Sequence, residues 1–234
     1  MPLIRRIKQL ELAFSPAPWT FAESRRVEIR AHFAKVRETK PEVWNGRVLL
    51  CRNPRLDGEC YRADYFETDF ASFLAWRDWG FPDTSVFNSF GAGALRSADG
   101  AFVLGRMGAH TANAGRIYFP AGTPDPNDIA GDSVDLAASV VREVEEEVGL
   151  IPADYDAGDG WTIVETGQVV ACFRLLTSRL RVVELQQRIE AYLASETLPE
   201  LSGVKIVRSI ADFDSAMPQF IKAYLEDALA GRPL

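Results

Sequence analysis

The sequence has few residues that could form disulfide bonds or soft metal sites, with three cysteines and two histidines among 234 residues. Cys51, Cys60 and Cys172 are odd in number and follow no spacing pattern, which favours a reducing cytoplasm over a disulfide framework. No apolar run approaches the roughly 18–20 residues that span a membrane. Residues 1–14 also lack the apolar stretch and cleavage site of a secretory signal. These absences predict a cytoplasmic protein without a membrane partner.

Basic residues are in the minority, with 26 Lys and Arg against 33 Asp and Glu and a formal net charge of −7. Binding a nucleic-acid backbone requires a concentrated basic face, so this balance argues against a nucleic-acid partner. Hydrophobic residues make up 47% and charged residues 25%, the usual balance of a soluble globular protein. Most of the surplus acid is expected to lie on the solvated surface.

The order of patterned segments predicts two sections of mixed strand and helix. An N-terminal α+β section, 1–80, contains a helix over 20–38 with a Thr20–Glu23 capping box, two strands and a short helix. A second section, 81–234, opens at Phe81-Pro82. It contains strands over 90–96, 101–106, 117–119, 161–164 and 168–176, and helices over 133–148, 185–194 and 215–230. The predicted fold class is therefore α+β.

One segment of the predicted 133–148 helix concentrates acid. Glu143, Glu146 and Glu147 lie at i, i+3 and i+4 and share a face, whereas Glu145 points about 160° away from Glu147. Like charges at this spacing cost about 0.2–0.5 kcal/mol, and the helix dipole disfavours anions at a C-terminal end. Carboxylate oxygens are the ligands that Mg²⁺ prefers, so a cation on this face is expected. The opposite, apolar face is expected in the core: Ala137, Val141, Val144 and Val148.

The string at 142–150, REVEEEVGL, resembles the last nine residues of the Nudix box at every fixed position. A strand-like stretch that runs into Phe119-Pro120-Ala121-Gly122, followed by a loop and the helix, is also similar to a Nudix domain. The resemblance covers about residues 86–210. It implies an α/β/α sandwich that uses Mg²⁺ or Mn²⁺ to hydrolyse a nucleoside diphosphate linked to another moiety.

The resemblance also implies roles for individual residues. Glu146 and Glu147 correspond to the main metal ligands, and Glu143 to a further ligand or the base that deprotonates the attacking water. Arg142 would orient Glu143 through a charge-assisted hydrogen bond. Gly122 could offer its backbone carbonyl to the metal.

Two departures from the family pattern concern the loop before the helix. Val134 stands where the family has a further glutamate, and Gly122 lies farther from Arg142 than the family spacing, so the loop is longer. Several acids of this region could replace the missing glutamate, and the sequence does not choose among them: Asp125, Asp128, Asp132 and Asp135.

A second resemblance concerns the substrate. The segment 41–46, PEVWNG, followed by a strand pair, is similar to the N-terminal extension of a Nudix subgroup that hydrolyses UDP-sugars. The stretch from Arg106 to His110 is similar to the Gly/His loop of that subgroup. Arg106 and His110 are therefore substrate-binding candidates, and the alternative interpretation of His110 is a surface loop histidine. Glu200, in a later loop, is a further candidate. Glu196 and Glu200 are the best-placed candidates for a fourth carboxylate at the metal.

Three functional interpretations remain open on the sequence alone. The leading one is Mg²⁺-dependent hydrolysis of a nucleotide-sugar, such as a UDP-sugar, to a nucleoside monophosphate and a sugar 1-phosphate. The second is hydrolysis of ADP-ribose or a dinucleotide. The third is a non-catalytic, nucleotide-binding regulator, with Val134 marking decay of the site. In each case the partner is a small phosphorylated nucleotide, and pairing into a homodimer, common among Nudix domains, is left open.

Overall fold

A computed structural model describes residues 2–231 of the chain. Within this range the helices are α1 Thr20–Ser24, α2 Arg26–Thr39, α3 Phe70–Asp78, α4 Leu136–Val148, α5 Val182–Ser195 and α6 Gln219–Leu229. The strands are β1 Leu3–Ile7, β2 Gln9–Phe14, β3 Arg47–Asp57, β4 Cys60–Asp69, β5 Val86–Arg96, β6 Phe102–Met107, β7 Ile117–Tyr118, β8 Ile129–Ala130, β9 Ser133–Val134, β10 Tyr155–Ala157, β11 Trp161–Thr166, β12 Val169–Ser178 and β13 Leu201–Val207.

The strands form one connected network in the order β1-β11-β12-β5-β3-β4-β2-β9-β8. From β5, a branch leads through β6 to β7 and β13, and β10 pairs with the end of β12. The β12–β5 and β2–β4 pairs are parallel, and the other pairs in the described chain are antiparallel. A mixed sheet with helices confirms the predicted α+β class.

Helices cover both faces of the central strand β5. On one face, a Cβ atom added at Gly91 or Gly93 would lie 2.7 Å from a methyl group of Val140 or Val144, so these glycines let α4 approach closely. On the other face, the ring of Phe90 lies 5.7 Å from that of Phe220 in α6. Because side chains alternate along a strand, residues 90 and 91 point to opposite faces. Helix α4 and helix α6 thus enclose β5 as the layers of a sandwich.

The first fifteen residues contain two strands that the sequence analysis does not predict. β1 pairs with β11 over five residue pairs, from Leu3 with Glu165 to Ile7 with Trp161. β2 lies parallel to β4. Strands of the two predicted sections also meet where Cys51 of β3 pairs with Phe87 of β5. The boundary at residue 80 stays a prediction, and the sheet runs continuously across it.

The predicted helix over 20–38 is two helices, separated at Arg25. The N-cap is Trp19, which forms no side-chain capping bond, so the predicted Thr20–Glu23 capping box is wrong. Trp19 lies instead in an aromatic cluster, its ring 5.8 Å from that of Trp76. Burial of a large ring outweighs a capping bond of about 1 kcal/mol.

None of the helices in residues 2–231 is long and apolar enough to cross a membrane. All three cysteines are buried free thiols. Burial raises the pKa of the Cys172 thiol to about 12, which keeps it protonated and unreactive at neutral pH.

Candidate functional site

Helix α4 carries the acidic string, and both of its ends are well defined. The carboxylate of Asp135 accepts hydrogen bonds from the amides of Ala137 and Ala138 at 2.9 and 3.0 Å. The helix ends at Gly149, a left-handed C-cap with a φ of 68°. Val140 is fully buried and takes the core position that the sequence analysis gives to Val141, which is only half-buried.

The acidic side chains of α4 differ sharply in exposure. Glu147 is 3% exposed, and its Oε1 accepts a hydrogen bond from the Ala121 amide at 3.1 Å. Its Oε2 is buried and has no hydrogen-bond partner in residues 2–231. The Glu143 side chain is 13% exposed and that of Glu146 is 62% exposed. Glu147, Glu143 and Glu146, here called the acidic row, therefore run from the interior to solvent. Glu145 is exposed.

Burial and neighbouring carboxylates raise the pKa of Glu143, Glu147 and Glu200. The pKa of Glu143 is raised to about 7, mainly because its carboxylate is buried. The charges of Glu146 and Glu200 raise it too, while that of Arg142 opposes them. Burial, followed by the charge of Glu143, raises the pKa of Glu147. The four carboxylates thus lie within electrostatic reach of one another, and a cation among them would relieve their repulsion.

Arg142 bridges the α4 acids to the preceding loop. Its Nη1 donates to Glu143 Oε1 at 2.9 Å, and its Nη2 donates to both carboxylate oxygens of Asp128 at 2.9 Å. Asp128 is 3% exposed and also accepts a hydrogen bond from the Asp125 amide at 2.9 Å. Among the four acids left open by the sequence, Asp128 is the one that contacts Arg142. Val134 itself is buried in β9.

The turn at Ala121-Gly122 covers the inner end of the acidic row. A Cβ atom added at Gly122 would lie 2.3 Å from Glu143 Oε1 and 2.5 Å from its Cδ, so only glycine leaves this carboxylate in place. The neighbouring amide of Ala121 holds Glu147. One turn thus lies against two of the acids. The role of the Gly122 carbonyl as a metal ligand stays a prediction.

A third segment adds Glu200 and His110. The amide of Gly108 donates to the Glu200 carbonyl at 2.7 Å, and the ring of His110 lies against Gly108, where an added Cβ would come within 2.9 Å of its Cε1. Burial and the charge of Glu146 raise the pKa of Glu200, and His110 lowers it. The structure therefore brings His110 and Glu200 to the acidic row.

Two other candidates lie apart from this group. Arg106 does not line the cleft that contains Glu143, and its guanidinium pairs with Asp214 at 3.3 Å. Glu196 is exposed just after α5 and does not line the cleft either. Of the two acids considered for a fourth carboxylate, the structure places Glu200 beside the others.

The cleft has a volume of about 810 Å³, within the range of small-molecule sites. One wall comes from the second section and includes Gly122, Glu143 and Glu200. The other wall comes from the N-terminal section and includes Trp44 and Arg77, which the sequence analysis does not place at the site. The signal that could have indicated this wall is the 41–46 segment, four residues of which line the cleft.

Asn45 and Gly46 attach that segment to helix α3. The Asn45 side-chain oxygen accepts a hydrogen bond from the Ala71 amide at 2.7 Å, and the Gly46 carbonyl accepts one from the Phe70 amide at 2.8 Å. Asn-Gly is therefore a structural clamp for the first turn of α3. It fixes the position of Trp44 next to it.

Carboxylate oxygens are the type of donor that a hard divalent cation prefers. Four carboxylates face one region, and one buried oxygen of Glu147 lacks a hydrogen-bond partner within residues 2–231, as a metal ligand would. In the described part of the chain, however, no group of three or more His, Cys, Asp and Glu side chains is arranged so that it could hold a metal ion. Arg142 lies within 2.9 Å of Glu143 and 3.7 Å of Glu146, so these carboxylates would have to turn from it toward a cation.

Comparison with known proteins gives structural likenesses only. No family model matches the chain, and no curated protein matches it. A Nudix hydrolase from M. smegmatis, RenU, is 14% identical over 62% of this chain and 86% of its own, with a TM-score of 0.39. The MutT protein from Methanosarcina mazei Go1 is 18% identical over 62% of this chain and 96% of its own, with a TM-score of 0.38. A point mutant of the Bacillus subtilis pyrophosphohydrolase BsRppH is 13% identical over 64% and 82%, with a TM-score of 0.36.

Proposed function

We propose that the protein is a Nudix-type pyrophosphohydrolase that requires Mg²⁺ or Mn²⁺. The observation that carries this proposal is the grouping of Glu143, Glu146, Glu147 and Glu200 within electrostatic reach of one another, beside a cleft that Glu143 and Glu200 line. One buried oxygen of Glu147 also lacks a hydrogen-bond partner within residues 2–231. A diphosphate is itself anionic, so such a cleft would repel it unless a cation lay between them. A divalent ion reconciles an acidic site with an acidic substrate.

The reaction is addition of water across one phosphorus–oxygen bond of the diphosphate bridge. The water oxygen bonds to one phosphorus, the bridging oxygen leaves with the second phosphate, and a proton of the water must be removed. Glu146 and Glu147 would hold the ion, and Glu143 would be a further ligand or the base that takes the proton, which is typically worth about 10²–10⁴ in rate. Arg142 orients Glu143 through its hydrogen bond at 2.9 Å. Mg²⁺, when bound, supplies positive charge to the phosphoryl oxygens and favours deprotonation of the attacking water.

Within this activity we propose a nucleotide-sugar as substrate, such as a UDP-sugar, with UMP and a sugar 1-phosphate as products. The support is the 41–46 segment, which resembles the extension of UDP-sugar-hydrolysing Nudix proteins and lines the cleft through Val43, Trp44 and Gly46. ADP-ribose and dinucleotides are the alternative substrates.

We also propose a cytoplasmic location, because the three cysteines are buried free thiols, as expected in a reducing compartment.

The experiment is a substrate panel with the purified full chain. UDP-glucose, ADP-ribose and a diadenosine polyphosphate are incubated with Mg²⁺ or with EDTA, then treated with phosphatase, which releases phosphate from the products and not from intact diphosphate bridges. We expect phosphate from UDP-glucose with Mg²⁺ and none with EDTA. Nucleotide binding without turnover across the panel would instead favour a non-catalytic regulator and overturn the proposal.

A further inference from the structure

The two walls of the cleft are tied together by the loop over 108–116. Lys40 Nζ, just after α2, donates to two carbonyls of this loop at 2.7 and 3.2 Å. Arg77 of α3 donates to the Asn113 side chain at 3.0 Å. At its other end the loop donates a backbone hydrogen bond to the carbonyl of Glu200 at 2.7 Å. The N-terminal wall is therefore held in a fixed relation to the carboxylates.

Arg116 ends this loop and faces the cleft without an ion pair to any residue in 2–231. The other two arginines of the cleft are engaged, Arg47 with Glu67 and Arg77 with Asp78. A guanidinium with free donors, in the cleft that Glu143 and Glu200 also line, is suited to bidentate recognition of a phosphate.

Trp44 presents an aromatic ring at the same cleft. It is 77% exposed, although tryptophan is mostly buried in folded proteins. Its ring lies over Gly46, where an added Cβ would come within 2.9 Å of the indole. The ring is thus supported from one side by the backbone that the Asn45-Gly46 clamp fixes, and most of its surface is left free. A supported, exposed indole at a cleft is a stacking surface for a flat ligand ring.

We propose that Trp44 and Arg116 form a nucleotide-binding subsite in which the indole stacks on the nucleobase and the guanidinium binds a phosphate of the diphosphate. The inference rests on the proposed function for the presence of a diphosphate beside the carboxylates. It adds that the N-terminal section supplies the surface that recognises the base. The ligand class is a nucleoside diphosphate, and the subsite distinguishes it from a bare pyrophosphate.

The test measures binding of uncleavable probes by calorimetry in Mg²⁺. The probes are α,β-methylene-UDP, α,β-methylene-ADP and the base-free methylenediphosphonate. Stacking on an aromatic ring is worth about 1–3 kcal/mol per base, so Trp44→Ala should weaken both nucleotides by about 5- to 150-fold and leave methylenediphosphonate unchanged. Trp44→Phe should retain most of the affinity. Arg116→Ala should weaken all three probes.

Val27→Ala and Arg30→Ala are the matched controls, since both residues are exposed on α2 and neither lines the cleft. Unchanged nucleotide affinity in Trp44→Ala, unchanged affinity for all probes in Arg116→Ala, or no nucleotide binding by the wild type would overturn the inference. Wild-type protein that binds both nucleotides through Trp44 yet cleaves no diphosphate would support the subsite and contradict the proposed hydrolysis. If the wild type hydrolyses a diphosphate and Trp44→Ala has the same KM, the proposed hydrolysis would be supported and the subsite contradicted.

Discussion

Burial distinguishes three glutamates that have the same chemistry on one helix. Glu147 is almost fully enclosed, Glu143 lies under the Ala121-Gly122 turn, and Glu146 extends into solvent. The spacing in the sequence predicts that the three share a face, because i, i+3 and i+4 coincide on any helix. Their burial could not be predicted, because it depends on the turn that covers the inner end of the row.

Gly122→Ala should separate activity from stability. The added methyl group would displace the Glu143 carboxylate, which lies at the end of a flexible side chain, so we expect a change in unfolding free energy below about 1 kcal/mol. A displacement of about 1 Å at a reacting centre lowers the rate about a hundredfold, so we expect a loss of that order in turnover. Urea unfolding and Mg²⁺-dependent turnover measure the two effects. Gly158→Ala is the control, because its Cβ would have only ordinary contacts, and wild-type turnover in Gly122→Ala would refute the placement of Glu143.

Asp128→Asn should weaken the attachment of Arg142. The aspartate accepts two hydrogen bonds from a guanidinium in a nearly water-free position, whereas asparagine offers one uncharged oxygen. We expect the unfolding free energy to fall by about 2 kcal/mol, the scale of hydrogen bonds to charged groups. Turnover should fall as well, because Arg142 would no longer be held beside Glu143. Asp132→Asn, on an exposed residue, is the control, and equal unfolding curves would contradict the bridging role.

The roles of the aspartates in the loop before α4 could not be predicted from the sequence. Four aspartates between residues 125 and 135 were equivalent candidates for the place that Val134 leaves without a carboxylate. The structure uses Asp135 as a helix cap and Asp128 as the partner of Arg142. Both are local hydrogen-bonding tasks for which aspartate is suited, and only the path of the longer loop decides which residue performs which.

At the scale of elements, α4 was predicted with a correct end and an early start. Gly149 marks the end because glycine adopts a φ of 68° without the steric strain that a side chain would cause. The helix is predicted from residue 133, whereas its N-cap is Asp135. Ser133 and Val134 pair with Ala130 and Ile129, so the helix begins three residues later than predicted, at Leu136.

Helix α3 allows a prediction about pH. Asp69 caps it by accepting from the Ser72 amide at 3.0 Å and pairs with Arg26 at 2.6 Å. Burial alone would raise the pKa of Asp69, but these donors outweigh it and hold the pKa below its usual value. A lowered folded-state pKa contributes stability that is present above the unfolded value near 3.8 and is lost as the pH falls through the folded value.

Asp69→Ala should therefore lower the unfolding free energy at pH 7 by about 1 kcal/mol or somewhat more. The gap between variant and wild type should shrink as the pH falls below 4. Urea unfolding of both proteins across that range measures it. A gap that stays constant from pH 7 to pH 3 would show that the carboxylate charge is not the source of the stabilisation.

At the scale of the whole molecule, the N-terminal strands explain why two predicted sections share one sheet. β1 pairs with β11, β3 pairs with β5, and β9 pairs with β2, so each section supplies neighbours to the other. The alternation in residues 3–14 is compatible with strands, yet their partners lie far along the chain and local patterning does not reveal them. The α+β class was predictable because it depends on the order of elements and not on their pairing.

This sheet predicts a single cooperative unfolding transition. Four of the five tryptophans lie in residues 1–80, and Trp161 lies in β11, so fluorescence mainly reports the N-terminal section while far-UV circular dichroism reports the whole chain. The two signals should change together in urea. Two separate transitions would mean that the sections unfold independently, and that the paired strands add little coupling between them.

The position of the acidic residues in the folded molecule shows which of them belong to the site and which belong to the surface. A net charge of −7 argues against nucleic acid, and most of it is surface. Glu143 and Glu147 differ because they are buried next to each other, an arrangement that is costly without a cation. In the proposed function, a divalent ion bound there carries a diphosphate substrate to the acidic site.

The most direct test compares Glu146→Gln and Glu147→Gln with Glu145→Gln, a change of the same kind at an exposed position of the same helix. Each purified variant is assayed for Mg²⁺-dependent hydrolysis of the best substrate of the panel, with circular dichroism as a check of folding. Loss of hydrolysis in the first two variants and wild-type turnover in Glu145→Gln is the predicted result. Unchanged turnover in folded Glu146→Gln or Glu147→Gln would contradict it.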